Sequence, residues 1–251
     1  MLVVGVLAYA GLPPFAGDTA IRAADNARAV LAVEQALGLD VERAAQSSPL
    51  GRGVVGSALA VVYAVVYWPF VVAALALTAW RDRPSFRLTR NAIAISGALG
   101  LVVIAAFPVA PPRLLDGYDD HVERLVVLQS IAHPDGLFNP YAAMPSFHVG
   151  WMVVAALGLR GMVGPVWRWT PPAVMAVAVV TTGNHFVLDV IAGVVLAAGA
   201  WALASPMQRA LDQAVLERRQ RRSDGGRRRP TRERRPLPVS RSCGQAGAER
   251  R

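Results

Sequence analysis

From Gly53 to Trp80 the chain carries no charged residue, and that run decides the fold class. About 20 apolar residues in helical form cross the hydrocarbon core of a bilayer. Further apolar runs follow at residues 92–107, 149–163, 171–182 and 186–204. With 54% hydrophobic residues, 17% charged residues and a mean hydropathy of +0.37, they predict an all-α, polytopic membrane bundle of about six helices. The remaining helix is the short apolar stretch at residues 1–12. Ala8-Tyr9-Ala10 has the shape of a cleavage site, but no basic region precedes it, so a first membrane segment is expected there instead of a leader.

Three regions follow. Residues 1–52 read as that N-terminal segment plus an amphipathic surface helix. Ile21, Val30, Leu31, Ala32 and Leu37 recur at helical spacing among Arg22, Arg28, Glu34 and Arg43, which predicts a helix with a solvated charged side, broken at Gly38-Leu39-Asp40. Residues 53–205 form the membrane core, with Tyr63, Tyr67, Trp68 and Trp80 as expected interfacial anchors. Pro69 within the first span requires neighbouring groups to satisfy the carbonyl it frees. Residues 206–251 read as a disordered, Arg-rich cytoplasmic tail.

The net charge of +9 sits in that tail. From Arg218 onward there are about 13 Arg against 3 acids, so the rest of the chain is close to neutral. A basic tail of this kind suits an anionic membrane surface, and no nucleic-acid partner is expected. The lone Cys243 leaves neither a disulfide framework nor a Cys-based metal site. No metal or other cofactor is expected.

Basic residues also orient the bundle. Arg81, Arg83, Arg87 and Arg90 read as one basic loop, Arg160 to Arg168 as another, and both fall on the side of the Arg tail, hence the cytoplasm. The acid-rich segment at 111–144 and the turn at 183–185 fall on the opposite, extracytoplasmic side.

Three short polar islands interrupt the apolar runs on that outer side. The first is Pro108-Val109-Ala110-Pro111-Pro112-Arg113. The second is Ala143-Met144-Pro145-Ser146-Phe147-His148-Val149-Gly150, and the third is Thr182-Gly183-Asn184-His185-Phe186-Val187-Leu188-Asp189. His185 and Asp189, four apart, share a helix face, and the carboxylate can fix one ring nitrogen so that the other acts as nucleophile. Pro145 and Ser146 suit a helix start, whose backbone N–H groups form an anion site, and His148 beside it can protonate a leaving oxygen. Arg113 is shaped for bidentate phosphate contact. Taken singly, a structural His–Asp pair, a capping Ser and a snorkelling Arg are equally simple readings. Together on one face they make a phosphoryl-transfer site.

The order Arg, Pro-Ser-x-His, His-x-x-x-Asp resembles the type 2 phosphatidic acid phosphatase superfamily, membrane lipid-phosphate phosphatases and phosphotransferases related to vanadium haloperoxidases. Within it, the stretches 143–151 and 182–185 are most similar to the inositol phosphorylceramide synthase branch. The resemblance spans about residues 50–205. It implies His185 as the nucleophile that forms a phosphohistidine, Asp189 as its orienter and His148 as acid. Arg113 and Ser146 would hold the phosphate, with Phe147 and Asn184 as further substrate-binding candidates. The chain departs from the phosphatase pattern where Ala106 replaces a Lys and where Ala178 and Val179 replace Ser-Arg. Two phosphate-binding cations are thereby missing, which points toward phosphodiester substrates. Three functions stay open: a lipid phosphatase, a phosphotransferase that builds a phosphodiester lipid, and a non-catalytic membrane scaffold. For the two enzymes the partner is a lipid phosphate in the membrane.

Overall fold

The computed structural model describes residues 17–119 and 139–227. These form helices α1 (Gly17–Leu37), α2 (Glu42–Ser47), α3 (Gly53–Arg81), α4 (Arg83–Ala106), α5 (Phe147–Gly158), α6 (Pro165–Thr181) and α7 (Val187–Arg227). Among the described residues there is no strand, only two isolated bridges, Val109 with Ala142 and Arg160 with Val163. Among the described residues three helices are long and apolar enough to cross a membrane: α3, α4 and the Val187–Leu211 part of α7. The expected segment at 1–12 lies outside the described residues, as does most of the acid-rich stretch between Asp119 and Asn139.

Helix α5 lies at the centre, packed against α3, α4 and α6. At about 1.5 Å per residue its 12 residues span only ~18 Å, too little to cross alone. Val149, Gly150, Met152, Val153, Val154, Ala155, Ala156 and Gly158 are all buried, as befits a helix apolar on every side. Around it the core gathers Ala60, Tyr63, Val71, Ile93, Met175, Val179 and Ala197. The outward faces are apolar as well: Val54, Trp80, Trp167 and Val195 are exposed, which suits a lipid solvent and would burden a soluble bundle.

Three boundaries differ from the expected ones. The Arg81–Arg90 stretch is not a loop, because Asp82 caps α4 by accepting from the Ser85 amide (3.3 Å) and hydroxyl (2.6 Å), with Pro84 in the first turn. Arg83, Arg87 and Arg90 therefore ride on the first turns of α4. Arg168 likewise lies inside α6, which starts earlier than expected at Pro165. Finally, α7 continues to Arg227, beyond the expected core boundary at residue 205. The chain divides into two units, Met1–Arg209 and Ala210–Arg251. The second is helical as far as Arg227, and the expected disorder beyond residue 227 lies outside the described residues.

The break at Gly38 is as expected: its φ of +68° is the left-handed conformation that ends α1. A π-helical turn at Val62–Val66 precedes Pro69 within α3, a local change of bonding that such helices use near proline and at functional sites.

Candidate active site

The C-terminal ends of α4 and α6 and the N-terminal ends of α5 and α7 meet at one end of the bundle, and the three islands meet with them. Backbone hydrogen bonds tie the islands in pairs. The Val109 amide donates to the Tyr141 carbonyl (2.9 Å) and the Ala143 amide to the Val109 carbonyl (3.2 Å), joining first to second. The Arg113 amide donates to the Gly183 carbonyl (2.9 Å), joining first to third, and the Ser146 amide to the Asp189 carbonyl (3.0 Å), joining second to third. Gly183 turns the chain at φ +74°. A Cβ there would press on Arg113 and on the Gln46 side chain.

His185 is buried in this turn, just before α7 begins. It does not share a helix with Asp189, as the spacing alone implies. The two side chains meet because Asp189, in the first turn of α7, reaches back: its Oδ2 accepts from the Phe186 amide at 2.8 Å and lies 3.5 Å from His185 Nδ1. The nearest partner of Nδ1 is the Ala143 carbonyl, at 2.7 Å. A carbonyl only accepts, so Nδ1 carries the proton and Nε2 is left with its lone pair. The tautomer expected from Asp189 is thus set first by the backbone of the second island.

His148 lies in the first turn of α5, its ring centroid 5.8 Å from that of His185. The rings of Tyr63 and Tyr67 each pack 4.7 Å from it. Both tyrosines are buried, so they are not interfacial anchors. Trp68 and Trp80 are the exposed pair. The π-helical turn begins beside Tyr63 and ends beside Tyr67, and the two rings flank the imidazole from one helix.

Ser146 occupies the N-cap position of α5 but makes no side-chain cap; its buried Oγ has no hydrogen-bond partner among the described residues. The expected capping role is therefore corrected, and a buried, unpaired hydroxyl at a helix N-terminus is suited to an incoming oxygen ligand. Arg113 sits in a one-turn 3-10 helix, Pro112–Leu114, and its Nε donates to Asn184 Oδ1 at 2.9 Å. Asn184 is buried, and its Nδ2 donates to Thr182 Oγ1 at 2.9 Å. The Thr182 bond turns its Oδ1 toward Arg113. A cavity of about 70 Å³ opens between these groups, bordered by Tyr63, Arg113, Phe147, His148, Asn184 and His185.

The model of the PAP2 superfamily matches residues 28–203. The chain belongs to the PAP2 superfamily. The match takes in the second half of α1 and all of α2 as well as the membrane helices and all three islands, so the superfamily's territory begins earlier than residue 50, where the motif resemblance starts. Among curated proteins none matches the chain. Among solved structures it is similar to LpxE of Aquifex aeolicus, with a TM-score of 0.53 and 15% identity over 67% of this chain and 94% of that one. At that identity the likeness bears on the fold.

Reading the sequence misses four contributors to the site: Tyr63, Tyr67, Glu34 and Glu42. The tyrosines carry a legible signal, since residues four apart on a helix share a face. Glu34 carries one too, because it continues the buried stripe Ala23, Ala27, Val30 at helical spacing, where an acid is out of place. Its side chain does not face solvent. Both Glu34 and Glu42 are fully buried.

Proposed function

We propose that this PAP2 superfamily membrane protein is a phosphoryl-transfer enzyme that removes phosphate from a lipid at the extracytoplasmic face, through a phosphohistidine intermediate. The observation that carries the reading is the fixed His185 ring: Nδ1 is bound to the Ala143 carbonyl, which leaves Nε2 as a nucleophile beside a cavity that also holds Arg113 and His148. In the first step Nε2 attacks phosphorus, the bond to the lipid oxygen breaks, and His148 gives that oxygen its proton. In the second step water attacks the phosphohistidine, His148 takes the water's proton, and inorganic phosphate leaves with His185 regenerated. Arg113, the amides at the start of α5 and the Ser146 hydroxyl would bind the phosphoryl oxygens as charge builds on them. Tyr63 and Tyr67 would hold the His148 ring in place and shield it.

A second reading has one observation in its favour. Among the described residues bordering the cavity Arg113 is the one arginine or lysine, and one such cation suits a phosphodiester, with its smaller charge, better than a phosphomonoester. In that reading a lipid or polyol hydroxyl replaces water in the second step, as the resemblance to the inositol phosphorylceramide synthase branch implies.

Leaving-group dependence tests the mechanism. With an alkyl phosphate lipid both His148→Ala and His185→Ala are expected to be nearly inactive, because general acid help is worth about 10²–10⁴ in rate. A nitrophenyl ester needs no proton on departure, so His148→Ala regains much of its activity and forms an acid-labile phosphoenzyme, while His185→Ala forms none. Rescue of His185→Ala instead would invert the two roles. Turnover unaffected by either substitution would overturn the phosphohistidine mechanism, and no turnover of any lipid phosphate would leave the scaffold reading. A new phosphodiester on supplying a polyol would select the transferase.

A further inference from the structure

The first turn of α7 has three consecutive amides that no earlier turn can accept, and each is taken by a carboxylate. Phe186 N–H donates to Asp189 Oδ2 at 2.8 Å, Val187 N–H to Glu42 Oε1 at 2.9 Å, and Leu188 N–H to Glu34 Oε1 at 2.6 Å. The two glutamates come from α1 and α2, 154 and 145 residues away in the chain, and both are fully buried. The α7 N-terminus is therefore filled by protein carboxylates, and an incoming phosphate is left to the α5 N-terminus and Arg113. Among the described residues no His, Cys, Asp or Glu group is arranged to hold a metal ion, so the acids do not form a cation site.

We propose that Glu34 and Glu42 are positioning residues for the phosphoryl-transfer site, seating the first turn of α7 so that Asp189 meets His185 and the Asp189 carbonyl meets the Ser146 amide. This rests on the reading of His185 as nucleophile. Ordering that turn fixes both the carboxylate beside His185 and the start of α5, since Ser146 is bonded to the Asp189 carbonyl.

Crowding favours a proton on Glu34. Two buried carboxylates with Asp189 close by cannot all ionise cheaply. Burial, opposed in part by the Leu188 amide, pushes the Glu34 carboxyl up to about 8, and the charges of Glu42 and Asp189 act in the same direction. The titratable or charged groups around it are Glu42 on α2, His185 and Asp189 at the α7 start, and beyond them Arg43 and Tyr118, which stack with 4.6 Å between guanidinium and ring centroid. The folded protein keeps a proton on Glu34 that the unfolded chain releases near 4.5. Stability from this group is complete below 4.5, declines as pH rises and is lost above about 8. Glu34→Gln imitates the protonated acid: its oxygen still accepts from Leu188 and its amide donates to Glu42.

The experiment uses the full-length protein in micelles, with three readouts. Turnover of a nitrophenyl phosphate ester isolates attack by His185, orthovanadate affinity by vanadium NMR probes the site without turnover, and Tm is followed from pH 4.5 to 9. Glu34→Ala and Glu42→Ala are expected to lose at least tenfold in kcat and in vanadate affinity per folded molecule. Glu34→Gln is expected to recover most of that loss and to reduce the fall of Tm between pH 4.5 and 8 that is expected of the wild type. The proposal is overturned if the folded Ala variants match the wild type in turnover and vanadate affinity, or if Glu34→Gln is as impaired as Glu34→Ala. If the wild type turns over no ester, the phosphatase reading falls, while the vanadate and Tm comparisons still decide the role of the two glutamates.

Discussion

Removing the Asn184 side chain should disarm Arg113 without unfolding the protein. Asn184 Oδ1 accepts from Arg113 Nε at 2.9 Å, a hydrogen bond to a charged group, and loss of such a bond costs about 1.5–3 kcal/mol. Arg113 is half-buried, so water compensates in part and the lower half of that range applies. At about 1.4 kcal/mol per factor of ten, Asn184→Ala should lower kcat/KM for a lipid phosphate roughly 10–40-fold. The Arg113 backbone stays in place, because its amide still donates to the Gly183 carbonyl, so Tm should fall by only a few degrees. Asn184→Asp keeps the acceptor but sets a negative charge where the phosphate must approach, and should be slower than the Ala variant at neutral pH. Initial rates across substrate concentration, with Tm measured on the same preparations, check both. A kcat/KM within twofold of wild type for Asn184→Ala, or a faster Asp variant, would refute the claim that Asn184 acts by holding the guanidinium.

Helices α5 and α7 cross where Gly150 and Gly193 meet. A Cβ on Gly150 would sit 2.8 Å from the Gly193 carbonyl oxygen and one on Gly193 would strike the Ser146 carbonyl, so either Gly→Ala change should cost about 1–3 kcal/mol, read as a lowered Tm with lost activity. Cys introduced at Asp119 should react with an impermeant maleimide in intact cells and Cys at Arg83 should not; the reverse pattern would place the site on the cytoplasmic side. Truncation after Gln213 should leave specific activity within a few-fold, and complete loss in a normally inserted truncate would give the Arg-rich segment a role in catalysis.

The apolar runs and the three islands are legible in the sequence because both are local. Hydrophobicity over 20 residues reports a membrane helix whatever it packs against, and His148, His185, Asp189 and Arg113 announce themselves by residue type and spacing. Their chemistry is largely set by groups that spacing does not reveal. The acceptor nearest His185 Nδ1 is a backbone carbonyl, and Ala143 is as anonymous in sequence as any other alanine. The expected Ser146 cap is not made, because whether a hydroxyl turns to its own helix depends on the surrounding packing. Tyr63 and Tyr67 read as interfacial anchors until the helix is placed beside α5 and their rings are found against His148. Glu34 reads as a solvated charge on an amphipathic helix and Glu42 carries no signal of its own, since the amides that donate to them lie some 150 residues further along the chain. Composition and periodicity determine which segments are helices and which enter the membrane. Only the tertiary packing of α1 and α2 against the start of α7 decides that two acids leave water, because a buried carboxylate is tolerated only where specific donors meet it, and those donors exist only once the chain has folded.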